Sequence, residues 1–215
     1  MDVYPIGLIG LDQRKTVVIG GGKVAARKVT GLLEAGAQVT VISPAFVPEL
    51  RVLAGSRRVT LTGRAYREGD LADAFLVIAA TDNAGINEQV WQEAQERGCL
   101  VNVVDDPARC NFIVPAVVRR GEVIVTVSTG GASPALARRL REQLESLIGP
   151  EVGGLATLLA ELRPELQTRF QDDDVRTQAA FRLVDSNLAE IIRRHGLDAA
   201  RMRAQELLAE METEA

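Results

Sequence analysis

An apolar run at residues 99–104, CLVNVV, ends on Asp105-Asp106-Pro107. Pro107 drives the residue before it out of helical backbone, so Asp106 is the natural turn former and Asp105 is left over. A spare carboxylate at a strand end can take the proton that leaves with a hydride, if it lies within hydrogen-bond reach. Both acids could equally do no more than shape the turn. Asn102, in the same run, would face the same crevice. A second candidate is TVVIGGGKVAARK at 16–28, where Gly20, Gly22 and Ala25 form a G-x-G-x-x-A series between a β-branched run and a helical stretch. Gly20 permits a tight turn, Gly22 lets backbone approach a diphosphate, and Ala25 allows close helix–strand packing. The helix start adds free N–H groups, so the arrangement predicts a dinucleotide site.

Other residues leave their roles open. VTVISPA puts Ser43 where the NAD fingerprint has an acid for the adenosine ribose. Its hydroxyl could meet a ribose hydroxyl or a phosphate, and with no arginine directly beside it the residues lean only slightly towards NAD. AATDN sets Thr81 and Asp82 at the end of another strand, although Asp82 could instead cap the following helix. In VSTGGASP, Ser128, Thr129 and a glycine pair precede a helix that Ser133 caps and Pro134 opens. That loop is either an anion-binding concavity or a plain connector. Arg119-Arg120 and Arg138-Arg139-Arg141 could meet an anionic small molecule or form solvated surface. His195, at the end of a helical stretch, suits the helix C-terminal dipole.

Composition removes several classes. One histidine and two cysteines without ligand spacing, Cys99 and Cys110, leave no metal site to assign. Residues 151–215 carry 8 basic and 13 acidic side chains, a net −5 out of −4 for the whole chain. No basic face of nucleic-acid type appears, so no nucleic-acid partner is expected. The apolar opening VYPIGLIGL is too short to span a membrane, follows Asp2 where a basic flank would stand, and lacks a cleavage pattern; a cytoplasmic protein without membrane contact is expected.

The elements that must position these residues follow from periodicity. Five short runs, at 16–20, 37–42, 58–62, 75–80 and 99–104, are mostly apolar on both faces, the pattern of parallel strands covered by helices. Helices lie between them, as in KVAARKVTGLLEAG, ended by Gly36, and NEQVWQEAQERG, closed by Gly98. After Pro115 a single strand, 122–128, and one helix follow, and from 151 the chain is helical, with breaks near Pro164 and Gly196. The fold class is α/β, a Rossmann-type doubly wound parallel sheet, then a small α+β unit and a helical carboxyl-terminal domain.

With these residues in place, the chain resembles the precorrin-2 dehydrogenases of siroheme biosynthesis, which also form the amino-terminal part of siroheme synthases. The likeness runs through residues 5–148 and rests on Pro5-Ile6 with Leu11, VVIGGGKVAARK, LLEAGAQVTVISP, AATDN with Asn87, VNVVDDP, NFIVPA and VSTGGASPALARRLRE. The resemblance implies NAD-dependent oxidation of precorrin-2 to sirohydrochlorin, and in some members insertion of ferrous iron, with Asp105 serving both steps. It implies cofactor contacts at Gly22, Lys23, Val24, Ser43-Pro44-Ala45 and Thr81-Asp82. It also implies a homodimer built from an NAD-binding domain (1–115), a dimerisation unit (116–150) and a helical domain over the substrate (151–215). Because precorrin-2 is rimmed with carboxylates, Arg119, Arg120, Arg138 and Arg139 gain a candidate partner. One departure is Ser128-Thr129, where many members have two serines. Without the resemblance, a dehydrogenase of another small anionic substrate or a non-catalytic dinucleotide sensor would serve as readings.

Overall fold

The computed structural model describes residues 3–55 and 57–214; Asp2, at the acidic flank of the opening segment, lies outside them. The described chain divides after Val114 into two compact units.

In the first unit the β-branched runs become strands and the amphipathic stretches between them helices. In order these are β1 (Lys15–Ile19), α1 (Lys23–Glu34), β2 (Gln38–Ile42), α2 (Pro48–Ala54), β3 (Val59–Thr62), β4 (Ala74–Ala79), α3 (Ala84–Glu96) and β5 (Leu100–Val103). All five strands are parallel, in the order β3-β2-β1-β4-β5. The alternation of each strand explains why both its faces are apolar. Val18, Val41 and Ile78 pack with Val29, Leu33 and Leu50 on one side, and Val17, Ile19, Val77 and Val101 with Leu71, Val90 and Ala94 on the other. Val17, Val18, Val29, Val41 and Leu50 are wholly buried, and each such side chain contributes about 1.5–3 kcal/mol relative to exposure. The chain reverses its direction of travel across the sheet between β1 and β4, so a crevice opens at the carboxyl ends of those two strands. Helix α2, which the periodicity did not mark, begins on Pro48, whose fixed φ suits a first helical turn.

The second unit starts with an antiparallel hairpin, β6 (Ala116–Arg120) and β7 (Val123–Val127), in the register Val118↔Val125. Only β7 was expected; β6 is short and ends in two arginines, so it carries little apolar signal. Helix α4 (Pro134–Leu147) follows, capped by Ser133 as expected, its side chain accepting from the Leu136 N–H. Helices α5 (Pro150–Arg169), α6 (Asp173–Asp185), α7 (Leu188–His195) and α8 (Leu197–Glu214) complete the unit. The break expected near Pro164 is absent, and α5 runs straight through it. An interior proline costs a helix about 3 kcal/mol, but Leu158, Leu162 and Leu166 form a buried stripe across it with Phe170, Leu183 and Leu208. That burial offsets the lost hydrogen bond. The breaks fall instead at Phe170–Asp172, between α5 and α6, and at Ser186–Asn187, between α6 and α7, while the one at Gly196 stands where expected. Among the described residues no helix is long and apolar enough to cross a membrane.

Candidate functional site

At the carboxyl edge of the sheet lies a cavity of about 920 Å³. Its walls come from all five strand ends. They are Gly20–Val24 after β1, Ser43–Val47 after β2, Ala65 and Tyr66 beyond β3, and Ala80–Asn83 after β4, with Val104 and Asp105 closing the far side after β5. Every expected cofactor residue is among them: Gly20, Gly22, Lys23, Val24, Ser43, Pro44, Ala45, Thr81 and Asp82. Asp105 joins them.

The glycine turn shows why each position is bare. Gly20 has φ +117, and a Cβ there would meet the Ala80 carbonyl oxygen at 2.2 Å; on Gly21 it would meet the Ala45 carbonyl oxygen at 1.8 Å. A Cβ on Gly22 would meet nothing within 4 Å. Gly20 and Gly21 are thus needed for the turn to pass between neighbouring strand ends, whereas Gly22 faces open space. No side chain caps α1 at Gly22, so its first-turn N–H groups and positive dipole end remain available to an anion. The cradle and the cavity volume fit a dinucleotide diphosphate.

Ser43 is buried, and its Oγ lies 3.4 Å from the Ala45 N–H. It shapes the β2 turn while lining the cavity. Thr81 donates to Asn87 Oδ1 (2.8 Å) and accepts the Asn83 N–H (3.2 Å), while Asn87 Nδ2 donates to the Thr81 carbonyl (3.0 Å). Asp82 is not the cap that it could have been: Asn83 caps α3, accepting from the Ile86 N–H at 3.1 Å. The Asp82 carboxylate is therefore left to the cavity.

The paired acids part company. Asp106 is ion-paired with Arg109, which also reaches Glu88 and lies over the Trp91 ring. Asp105 adopts φ +61, a left-handed conformation that aspartate tolerates better than most residues. Its carboxylate makes neither hydrogen bond nor ion pair with another described residue. It does act on Lys28 of α1. Burial and then Arg27 pull the Lys28 ammonium below its ordinary value, and Cys110 and Asp105 oppose them. Burial pushes the Cys110 thiol up.

Asn102 corrects an expectation. It is buried in β5 and donates to the Phe112 carbonyl (3.0 Å), away from the cavity lining, because alternation turns it to the face covered by residues 110–112. A nearby residue that the sequence reading passed over, Asn111, covers the free edge of β5. It accepts the Val101 N–H (2.7 Å) and donates to the Cys99 carbonyl (2.8 Å).

The remaining candidates lie in the second unit. Ser128 Oγ accepts the Gly130 N–H (3.1 Å), and Thr129 Oγ1 accepts the Ser133 N–H (3.0 Å). Arg120 donates to the Ile148 and Glu145 carbonyls and holds β6 against α4. Arg119 has its buried Nε without a hydrogen-bond partner. Arg138 and Arg139 are well exposed on α4 and both reach Glu142. Among the described residues no three His, Cys, Asp or Glu side chains converge as a metal site.

Comparison with known proteins bears on this geometry. A family model of NAD(P)-binding proteins matches residues 8–116, and one of the central region of sirohaem biosynthesis proteins matches residues 122–147. The siroheme synthase 1 of Aeromonas salmonicida is 39% identical over 211 residues, covering 98% of this chain and 45% of the relative. The siroheme synthase of Methylobacillus flagellatus is 44% identical over 176 residues, 82% of this chain and 38% of the relative. The chain thus spans less than half the length of these curated relatives. A solved structure of SirC, precorrin-2 dehydrogenase, superposes with a TM-score of 0.77 at 26% identity, covering 98% of this chain and all of that one.

Proposed function

The chain belongs to the NAD(P)-binding family matched over residues 8–116, and from that premise we propose that it oxidises precorrin-2 to sirohydrochlorin with NAD in siroheme biosynthesis. One observation carries the reading. A diphosphate cradle with an open face, at Gly22, shares a single cavity with a carboxylate, Asp105, that makes no hydrogen bond or ion pair with another described residue.

When bound, NAD supplies the hydride acceptor. The chain does the rest. Gly22 and the α1 N-terminus hold the diphosphate, and Lys23 adds positive charge at the cavity rim. No arginine is among the residues lining the cavity, so a 2′-phosphate would lack the bidentate partner that NADP sites supply, which favours NAD. Asp105 accepts the proton that leaves the macrocycle as the hydride departs and passes it to solvent, acting as general base. Asp106 and Arg109 keep the turn that presents it.

The same carboxylate would accept pyrrole protons if ferrous iron were inserted as a second substrate. Residues 1–115 bind NAD, 116–150 pair two copies of the chain, and 151–215 cover the substrate. Pairing is supported by the apolar residues that the hairpin and α4 leave exposed, among them Val117, Ile124, Leu136, Leu140 and Leu147. Arg119, Arg138 and Arg139 meet substrate carboxylates through charge-assisted contacts, with Arg120, Ser128 and Thr129 holding the segments that carry them. The protein works in the cytoplasm, without nucleic acid or membrane.

The deciding experiment supplies purified chain with precorrin-2 and NAD and follows NADH and sirohydrochlorin together. Equimolar formation of both is expected. NAD binding with no product would make the chain a dinucleotide sensor instead.

A further inference from the structure

Glu93 is the one charged side chain among the described residues that is buried, at 5% exposure, and the reaction has no use for it. It sits on α3 and gathers donors from two directions. Its Oε1 accepts the N–H groups of Gly69 (3.0 Å) and Leu71 (3.3 Å) and the Nε–H of Arg97 (2.7 Å). Its Oε2 accepts the hydroxyl of Tyr66. Three of the four donors therefore belong to the connection between β3 and β4, tied down by a helix residue more than twenty positions later in the chain. Burial pushes the Glu93 carboxyl up, but hydrogen bonds from Tyr66, Arg97 and Gly69 outweigh it and hold the group below the usual carboxylate range. It stays an ionised acceptor at neutral pH.

The donor that matters is Tyr66. Tyr66 is 8% exposed, packs in the core with Leu71 and Val90, and is among the residues lining the dinucleotide cavity, next to Ala65. Sheet order places it. Asp105 closes the cavity on the β5 side, the Gly20–Gly22 turn lies in the middle after β1, and Tyr66 stands on the β2–β3 side. A dinucleotide whose diphosphate rests over Gly22 and whose reacting ring lies towards Asp105 must send its adenosine half towards Tyr66. An aromatic face held in one orientation is an efficient surface for a flat base. We propose that Glu93 is a positioning residue for the cofactor, clamping Tyr66 and its connection as the wall against which the adenine half seats. The inference rests on the NAD reading given above.

The test is calorimetric titration of the full chain with NAD and with ADP-ribose, which keeps the adenine and diphosphate but lacks the nicotinamide. Glu93→Ala and Tyr66→Ala are each expected to weaken both ligands by roughly tenfold and by the same factor, a change of about 1.4 kcal/mol. Adding Glu93→Ala to Tyr66→Ala should cost no further affinity, because the carboxylate acts through the ring. A purely structural role would lower the melting temperature yet leave affinities unchanged, or would weaken binding again in the double variant; either result overturns the proposal. So does loss of NAD affinity with ADP-ribose unaffected, which would put the effect at the nicotinamide end. Should Glu93→Ala fail to fold, Tyr66→Ala still decides, since NAD affinity within twofold of wild type refutes the wall. Wild-type chain that binds neither ligand would instead sink the NAD reading, and this inference with it.

Discussion

Two glycine-rich loops in this chain follow a strand and open a helix, and they behave oppositely. In the loop after β1, a Cβ on Gly20 or Gly21 would strike main-chain oxygens, Gly22 faces open space, and α1 has no side-chain cap. In the loop after β7, polar side chains take three of the donors. Ser128 takes the Gly130 N–H, Thr129 the Ser133 N–H, and Ser133 the Leu136 N–H. Both loops are glycine-rich, but in the second, neighbouring hydroxyls take three N–H groups at the helix start, whereas no side chain does so in the first. An anion cradle therefore depends less on glycine than on the lack of local hydroxyls able to satisfy the helix start.

Substitutions can break that contrast. The largest effect is expected from Asp105→Asn, which keeps a residue tolerant of left-handed backbone while removing the base. Oxidation should fall by about 10²–10⁴ with NAD affinity within threefold, as read by turnover and by titration. Retained activity would move the base to Asp82 or Asp106. Gly21→Ala comes next. Its Cβ would lie 1.8 Å from the Ala45 oxygen, so thermal melting should show a loss of about 3 kcal/mol. Gly22→Ala sharpens the point, because it should cost only about 0.5 kcal/mol in stability yet weaken NAD roughly tenfold. An unchanged affinity would mean that the diphosphate lies elsewhere. Smallest in its reach is Ser133→Ala in the second loop, expected to lose about 1 kcal/mol in stability with NAD affinity untouched.

Much of this was readable before any coordinates. The β-branched runs marked all five strands of the parallel sheet to within two residues, because strands covered on both sides must be continuously apolar. The G-x-G-x-x-A spacing marked the glycine turn after β1, whereas Pro107 pointed to Asp106 as the turn residue and the turn instead runs over Val104 and Asp105, with Asp105 at φ +61 and the Asp106 N–H donating to the Val103 carbonyl. What escaped was decided by partners distant in sequence. Strand β6 exists because β7 pairs with it, α5 survives Pro164 because a leucine stripe is buried across it, and Asn102 turns inward to the Phe112 carbonyl. Thr129 directs its hydroxyl to the Ser133 backbone, where it accepts the N–H.

Local chemistry therefore settled which residue types stand at the strand ends: a turn that only glycine can make, a proline that constrains its neighbour, a helix start without a hydroxyl. Those are short-range steric and hydrogen-bond rules, and they act on the chain whatever surrounds it. The choice between Asp105 and Asp106, the burial of Glu93 against the Tyr66 hydroxyl and the meeting of five strand ends around one cavity needed the packed sheet. Each depends on a partner far along the chain, and only folding brings such partners within hydrogen-bond reach.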